Sequence, residues 1–367
     1  MRKRAVVDAK AFSAALDQVS KALGKSHIPV LREVHVRIHD GSCELTATDL
    51  DIWLINKVSS QGDDISFVFC RTLDVARACR LLEGDLALEL DDTGKGKDRK
   101  LMLYMYSGNR AMEFEVMAPE DYPDYSFPDP KAAFSVNAGC LSKRIERVRY
   151  AAGKPSIGAR PTAYCVQFAG NHVFAMDGIR LACDTDRDLL FPRPFMTSAD
   201  ALSHLGLFGN KEISIELGDR RGRFTDGTAI VDFCIVSVNV YPLEGAIPER
   251  YAEEFSVQTG DLLREVKYLK ELAAKDPKPY VRFHVGELFM ATSTGKYRTS
   301  VEICGKNEIA FAFDLNKMMD ALRQFKSAPR VTVKLSSALA PFILEADGRD
   351  DFALICPVRP SGRLMAA

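Results

Sequence analysis

The stretch FSVNAGCLSKRIERVRYAAG, residues 134–153, decides the fold, because FSVQTGDLLREVKYLKELAA, residues 255–274, repeats it later in the chain. Each stretch begins with alternating apolar residues, which is typical of a strand. Each continues with apolar residues three and four apart, which is typical of a helix. The opening AVVDAKAFSAALDQVSKALG, residues 5–24, has the same form. Three related copies indicate an internal repeat, which determines how the rest of the sequence is divided.

The segments after each copy also repeat. An alternating apolar pattern around a tight turn predicts a hairpin of half-buried antiparallel strands in residues 34–58, 164–186 and 280–304. A second helical pattern follows in residues 71–84, 197–210 and 314–328. A clean strand comes next in residues 86–90, 213–217 and 331–335, and a last strand in residues 111–118, 230–238 and 352–358.

Two proline-rich joints separate the copies. EDYPDYSFPDP (120–130) and NVYPLEGAIPE (239–249) both contain Tyr-Pro and then a second proline before an acidic residue. Proline forces its neighbourhood into extended geometry, so these segments are stiff connectors. We therefore predict three domains, residues 1–127, 128–250 and 251–367. Each is predicted to be α+β, with helices on one face of an antiparallel sheet.

The composition is that of a folded protein without a membrane span. The chain has 367 residues, 47% hydrophobic and 27% charged, and its apolar runs are shorter than the roughly 18 residues that a spanning helix needs. The basic N-terminus is not followed by the apolar segment of a secretion signal. Nine cysteines without a CxxC spacing predict buried free thiols in a reducing compartment, and no zinc site.

Basic residues concentrate in the predicted helices. The helical stretch 141–154 carries five bases against one acid, whereas many acids fall in the hairpins and connectors. Because the net charge is only −1, a positive surface requires such segregation. Contacts from such a surface would be to phosphates, without sequence information. Exposed helix faces also carry Lys and Arg without any ligand, so the pattern alone leaves both interpretations open.

The phrases IPVLREVHVRIHDGSCELTATDLDIWL (28–54), FAMDGIRL (174–181) and ICPVR (355–359), in this order within three repeats, resemble the bacterial DNA polymerase III beta subunit, the sliding clamp. The resemblance covers essentially the whole chain. It implies two subunits in a head-to-tail ring, with antiparallel sheets outside and basic helices lining a hole for duplex DNA. It also implies a non-catalytic processivity factor without cofactor or metal, located in the cytoplasm at the nucleoid. The implied partners are double-stranded DNA, a second copy of the chain, the polymerase III alpha subunit, clamp-loader subunits and other proteins with clamp-binding linear motifs.

The resemblance also implies roles for individual residues. An apolar cleft for partner peptides would be formed by Ala163, Met176, Gly178, Ile179, Arg180, Leu181, Pro242, Ala246, Leu354, Cys356, Pro357, Val358 and Arg359. The DNA-facing residues would be Lys25, Arg71, Lys143, Arg147, Arg149, Lys154 and Lys317. At the seam between subunits, Met112 and Phe114 of an edge strand would face Leu272 of the partner.

Some features depart from the family pattern. Ala163 is small, the loop at 242–248 is one residue short, and PSGRLMAA (360–367) follows Arg359, where family chains usually end. Our hypothesis is therefore a divergent clamp, a second or mobile-element copy with an altered partner preference.

Two other functions stay open at this stage. One is a metal-dependent DNA enzyme that uses Asp49, Asp51 and Asp177, although aspartates also fix turns. The other is a clamp-fold protein that holds partners and no longer encircles DNA. His35 and His39 alternate with apolar residues on a predicted strand, so we expect both to face outward.

Overall fold

The computed structural model describes residues 2–24, 27–93, 100–273 and 276–359. The chain divides into two compact units. Unit 1 contains residues 1–141 and 200–237, and unit 2 contains residues 142–199 and 238–367. The predicted three-domain boundaries stay a prediction.

The described elements follow one order in three successive repeats: a strand, a helix, a group of strands, a second helix and three strands. In repeat 1 they are β1 (Arg2–Asp8), α1 (Ala9–Val19), β2 (His35–His39), β3 (Ser42–Thr48), β4 (Ile52–Gly62), β5 (Ile65–Phe69), α2 (Thr72–Cys79), β6 (Asp85–Thr93), β7 (Lys100–Ser107) and β8 (Arg110–Met117). In repeat 2 they are β9 (Ala132–Asn137), α3 (Ala138–Val148), β10 (Cys165–Gly170), β11 (His172–Met176), β12 (Arg180–Thr185), β13 (Phe191–Ser198), α4 (Ala199–Ser203), β14 (Glu212–Leu217), β15 (Arg221–Thr225) and β16 (Ala229–Cys234).

Repeat 3 has the same order with one additional short strand. Its elements are β17 (Glu253–Gln258), α5 (Thr259–Leu272), β18 (Tyr280–His284), β19 (Glu287–Ala291), β20 (Lys296–Ser300), β21 (Ile303–Gly305), β22 (Phe311–Asp314), α6 (Leu315–Gln324), β23 (Arg330–Leu335), β24 (Phe342–Glu345) and β25 (Asp351–Ile355). The order of helices and strands predicted from the three copies is therefore confirmed.

Local sequence explains where the helices begin and which face they bury. Asp8 caps α1 by accepting a hydrogen bond from the Ala11 backbone at 2.8 Å, and Asp314 caps α6 through the Asn316 backbone at 2.8 Å. In α1, buried Phe12 and Leu16 stand four residues apart on one face. None of the helices in the described residues is long and apolar enough to cross a membrane.

Unit 1 is built on one antiparallel sheet. Among the described strands its order is β1-β6-β7-β8-β5-β2-β3-β4-β16-β15-β14-β9. The pairing of β4 with β16, here called joint 1, links repeat 1 to repeat 2 and places Trp53 opposite Asp232. The continuous sheet across joint 1 is why this unit contains strands from both repeats.

Unit 2 contains two described antiparallel sheets, with the orders β13-β10-β11-β12-β25-β24-β23-β17-β21 and β20-β19-β18-β22. The pairing of β12 with β25, here called joint 2, links repeat 2 to repeat 3 and places Leu181 opposite Leu354. An aromatic core supports these sheets, with the Phe255 and Phe283 rings stacked at 5.3 Å and Phe342 packed beside Phe311 at 4.9 Å. Burial of such side chains contributes about 1.5–3 kcal/mol each.

The histidine at the start of β2 is not on the solvent side, contrary to the expectation from strand alternation. His35 is half-buried, and its ring lies 4.9 Å from that of Tyr122. The His35 Nε2 atom is 2.8 Å from the Ser66 hydroxyl. Burial, with a smaller effect from the Arg37 charge, lowers the pKa of His35 from 6.5 to about 4. The connector residue Tyr122 covers this strand, which alternation within one strand does not reveal. His39 is exposed as predicted.

The neutral state of His35 predicts a loss of stability in mild acid. Because its pKa is lower in the folded state, the unfolded chain binds more protons between pH 6.5 and about 4. Stability from this group is therefore complete above pH 6.5, and on the order of 3 kcal/mol is lost as the pH falls to about 4. Denaturant unfolding from pH 7 to pH 4 should show a steeper decline for the unsubstituted protein than for His35→Gln. Equal slopes would contradict this assignment.

Candidate functional site: an apolar cleft in unit 2

An apolar cavity of about 400 Å³ opens beside joint 2, within unit 2. Its walls come from the turn before β12, the end of β25 and the proline-rich connector. They are lined by Met176, Gly178, Ile179, Arg180, Leu181, Tyr241, Gly245, Ala246, Ile247, Pro248, Pro341, Leu354 and Cys356. A concave site with mostly apolar walls and a few polar groups suits the apolar side chains of a peptide or small ligand.

The floor of the cleft is the strand pair of joint 2. Leu181 and Leu354 are directly opposite each other and nearly fully buried. They belong to a buried cluster with Phe174, Leu243 and Ile343. This cluster packs the strands of joint 2 against the connector, so the floor of the cleft is part of a buried core.

The turn between β11 and β12 shapes one wall. The Asp177 carboxylate accepts hydrogen bonds from the backbone of Ile179 and Arg180, both at 3.0 Å. Gly178 has a φ of +85°, a conformation that favours glycine. The Ile179 carbonyl accepts a hydrogen bond from Cys356 at 2.8 Å, which attaches the turn to the chain after β25. As a result, the Ile179 side chain is 47% exposed.

Arg180 anchors this wall from below. Its side chain is only 9% exposed. The guanidinium contacts Asp177 at 3.1 Å, Asp320 at 2.8 Å and the Tyr150 carbonyl at 2.6 Å, and it also lies over the Tyr150 ring. A buried cation with several charge-assisted hydrogen bonds fixes its surroundings. We conclude that Arg180 orders the cleft wall.

Lys317, on α6, completes the network. Its ammonium group is paired with Asp177, whose side chain is 8% exposed. Asp177 thus connects the cleft turn to α6 through Lys317 and Arg180. The charge of Lys317, predicted from the resemblance to face DNA, is engaged in this ion pair.

The structure brings together most of the predicted cleft residues. Those that line the cavity are Met176, Gly178, Ile179, Arg180, Leu181, Ala246, Leu354 and Cys356. The predicted residues outside its lining are Ala163, Pro242, Pro357, Val358 and Arg359. The Ala163 carbonyl instead accepts a hydrogen bond from Gly153 at 2.8 Å, and the Val358 backbone donates to Ala312 at 2.8 Å. Pro242 lines a neighbouring cavity of about 300 Å³.

Sequence reasoning missed several wall residues, namely Tyr241, Gly245, Ile247, Pro248 and Pro341. Four of these lie in the connector 239–249, whose repeated prolines identified it as a joint but not as part of a binding site. Pro341 precedes β24 and carries no signal of its own, because only the pairing of β24 with β25 brings it near.

The predicted DNA-facing residues differ in their surroundings. Lys143 and Lys154 are exposed. Arg71 is 77% exposed beside Asp74, and Arg149 pairs with Glu146 at 3.0 Å. Arg147 pairs with the fully buried Asp184 at 2.7 Å, and Arg144 binds the same carboxylate. Lys25 lies outside the described residues, as does the tail 360–367.

Substitution of Lys317 separates a positioning role from a DNA contact. Lys317→Met removes one partner of the buried Asp177, which keeps Arg180 and two backbone donors. We expect the free energy of unfolding to fall by about 1–2 kcal/mol, measured by urea denaturation. Exposed Lys143→Met is the matched control and should leave stability unchanged. If Lys317 only contacts DNA phosphates, Lys317→Met would instead weaken the salt-dependent retention on DNA and leave the free energy of unfolding unchanged.

Two of the predicted seam residues lie on β8, whose residues 110–115 pair with β7 alone among the described strands. Met112 and Phe114 are half-buried on β8, which pairs along its length with β7. Leu272 is half-buried at the end of α5 and packs on the core of unit 2. The contact between these residues of two subunits stays a prediction.

Joint 1 carries an aromatic and an acidic side chain at its equivalent strand positions. Trp53 occupies the place of Leu181 there, and its ring lies 5.4 Å from that of Tyr125. The Tyr125 hydroxyl lies 3.2 Å from buried Asp232, which also pairs with Arg221. An aromatic side chain and an ion pair therefore stand at the first joint, in the place where two leucines form the floor of the cleft at the second joint.

Two of the carboxylates considered for metal catalysis, Asp49 and Asp177, fix turns, whereas the Asp51 carboxylate lies 3.8 Å from the Cys234 thiol. Asp49 accepts backbone hydrogen bonds from Asp51 and Ile52 at 3.1 and 2.8 Å. Among the described residues, no group of three His, Cys, Asp or Glu side chains is arranged to hold a metal. The expectation that the thiols are buried is wrong for Cys140 and Cys304, which are exposed.

Comparisons with known proteins show which proteins have a similar sequence and a similar fold. No family model matches the sequence. The chain is 20% identical to the "Beta sliding clamp" of Pseudomonas aeruginosa over 354 residues, 90% of this chain and 93% of that protein. A putative DNA polymerase III beta subunit from Eubacterium rectale superimposes with a TM-score of 0.85 at 13% identity, over 98% of this chain and 100% of that one. A DnaN sliding clamp from Bartonella birtlesii bound to griselimycin gives 0.83 at 18% identity, with the same coverage. The resemblance to the DNA polymerase III beta subunit and the α+β clamp fold are thus confirmed along the whole chain.

Proposed function

We propose that this chain, which has the fold of the bacterial sliding clamps, is itself a DNA sliding clamp. Two copies would close head to tail into a ring of six repeats around duplex DNA, with helices inside and sheets outside. The ring would hold DNA by topology and not by sequence, so each phosphate contact can be weak. It would tether the replicative polymerase and other partners, without catalysis or a cofactor.

The observation that carries the proposal is the whole-chain match to beta subunit structures, together with an order of elements that occurs three times among the described residues. A heterologous, head-to-tail contact joins two different and mutually complementary surfaces, and it gives a closed ring when the rotation between copies closes. Exposed Lys143 and Lys154 are the better candidates for phosphate contacts, whereas Lys317 and Arg147 are bound to buried carboxylates.

The cleft supplies the proposed partner site. Its apolar walls fit Leu or Phe side chains of a short linear motif, such as those proposed for the polymerase alpha subunit and clamp-loader subunits. Griselimycin, with which the Bartonella clamp was crystallised, is a second probe for this chain. The walls from Tyr241 to Pro248 include the shortened loop, which is where an altered partner preference would arise.

Retention on DNA tests the ring. A clamp loader places the protein on nicked circular DNA. The mixture is then separated by size-exclusion chromatography in moderate salt. A clamp stays with the circle and is lost when the DNA is linearised before the column. A protein that only holds partners would elute without DNA in both cases, and metal-dependent cleavage of the circle would favour the enzyme alternative.

A further inference from the structure

A second cavity lies next to the cleft in unit 2 and is here called the side pocket. Its volume is about 300 Å³. One wall comes from the hairpin between β10 and β11, within residues 169–174, and the other comes from connector residues 240–244. Tyr241 lines both the side pocket and the cleft. The two cavities therefore share a wall.

The two cavities follow one another along one face of β11. His172, Phe174 and Met176 are alternate residues of this strand, so their side chains project from the same face. His172 and Phe174 line the side pocket, whereas Met176 lines the cleft. Four strand residues separate His172 from Met176 by about 13 Å, a distance that four residues of an extended peptide also span. A peptide with an apolar side chain in the cleft thus reaches the side pocket four residues away.

The segment that separates the cavities is attached to the sheet below it. The Tyr241 backbone N–H donates a hydrogen bond to the Gln167 side chain at 2.7 Å, and Gln167 is fully buried. Leu243 is also buried and packs with Phe174 in the cluster that forms the floor of the cleft. Both cavities are therefore compartments above one buried core.

The side pocket combines an apolar interior with an acid. Phe174, Val240 and Leu243 supply apolar surface. Among the described residues that line it, the one with a full charge at pH 7 is Glu244, which is exposed. Burial lowers the pKa of His172 from 6.5, against the opposing effect of the Glu244 charge, so the imidazole is neutral at pH 7 and does not repel a cation.

A long basic side chain matches this combination. Lysine and arginine bury an apolar stem along apolar surface and keep the charged head in water. A carboxylate at the mouth of the pocket accepts charge-assisted hydrogen bonds from such a head group. An acidic side chain in the same place would meet a like charge.

We propose that the side pocket binds an arginine or lysine side chain of a partner peptide, four residues away from the apolar motif that fills the cleft. Glu244 would pair with the charged head, while Phe174 and Leu243 contact the stem. This inference rests on the proposed partner site and specifies which partners it prefers. Peptides with the same apolar motif would then differ in affinity through a residue outside that motif.

Charge exchange between peptide and protein tests the side pocket by fluorescence anisotropy in low salt. Labelled peptides end in Leu-Phe and carry arginine, norleucine or glutamate four residues before the leucine. The arginine peptide should bind about 5-fold more tightly than the norleucine peptide and at least about 10-fold more tightly than the glutamate peptide. Glu244→Lys should reverse the order of the arginine and glutamate peptides. Glu249→Lys makes the same change of charge at an exposed connector residue that lines neither cavity, and it should preserve the order.

The outcomes separate the side pocket from the cleft. Moving the arginine to two residues before the leucine should remove the gain, because the side chain then lies over the wall between the cavities. A preference for arginine that persists at this spacing, or in Glu244→Lys, would overturn the side pocket. Equal affinities of the three peptides would overturn the side pocket and leave the cleft as the partner site. Absence of binding by all three would overturn the partner site and this inference with it.

Discussion

Asp184→Asn is expected to lower the thermal unfolding midpoint by about 4 °C, a loss of about 3 kcal/mol. The Asp184 carboxylate is fully buried. It pairs with Arg147 at 2.7 Å and with Arg144, whose side chain is only 20% exposed. The amide keeps the shape and removes the charge, so two guanidinium groups lose their shared counter-charge. Circular dichroism during heating measures the effect.

A matched substitution shows whether the effect depends on burial of the carboxylate or only on the loss of a charge. Asp219 is 65% exposed and pairs with Lys131 at 2.6 Å, so Asp219→Asn removes the same chemical group at the surface. Exposed ion pairs contribute little because water screens both charges. We expect no measurable shift of the midpoint for this control. Equal shifts in the two variants would contradict the structural role of Asp184.

This network shows where sequence patterns stop being sufficient. The basic residues of α3 are evident in the sequence, and the resemblance places Arg147 towards DNA. Its actual partner, Asp184, comes 37 positions later, on β12. Only the packing of α3 against that strand brings the two charges together. A local pattern identifies a charged helix face, but it does not identify a buried counter-charge from another element.

The repeated elements themselves were predictable, because hairpins and amphipathic helices are encoded by nearby residues. One exception is α4, where the pattern over 197–210 predicts a full helix and the structure gives only Ala199–Ser203 followed by a 3-10 turn. Gly206 and Gly209 lie in or directly after that turn, and glycine weakens a helix. The joints were not predictable, since pairing of β4 with β16 depends on residues far apart in sequence.

The residues of the cleft differ in how far they also belong to the buried core of the protein. Leu181 and Leu354 are buried in its floor, so substituting them would alter folding as well as binding. Ile179 differs, because the Asp177 turn holds it at the rim with 47% of its surface exposed. A change at Ile179 therefore tests ligand binding without removing a core contact.

Ile179→Asp is expected to weaken binding of a short peptide ending in Leu-Phe at least about 30-fold, or about 2 kcal/mol. The new carboxylate stands at the apolar rim, where a bound apolar side chain would remove its water. Fluorescence anisotropy with a labelled peptide measures the affinity, and griselimycin serves as a second ligand. Leu190→Asp changes a residue that is 71% exposed and does not line the cleft, so its affinity should equal that of the unsubstituted protein. Unfolding midpoints of both variants should stay unchanged. Tight peptide binding by Ile179→Asp would place the partner site elsewhere on the protein.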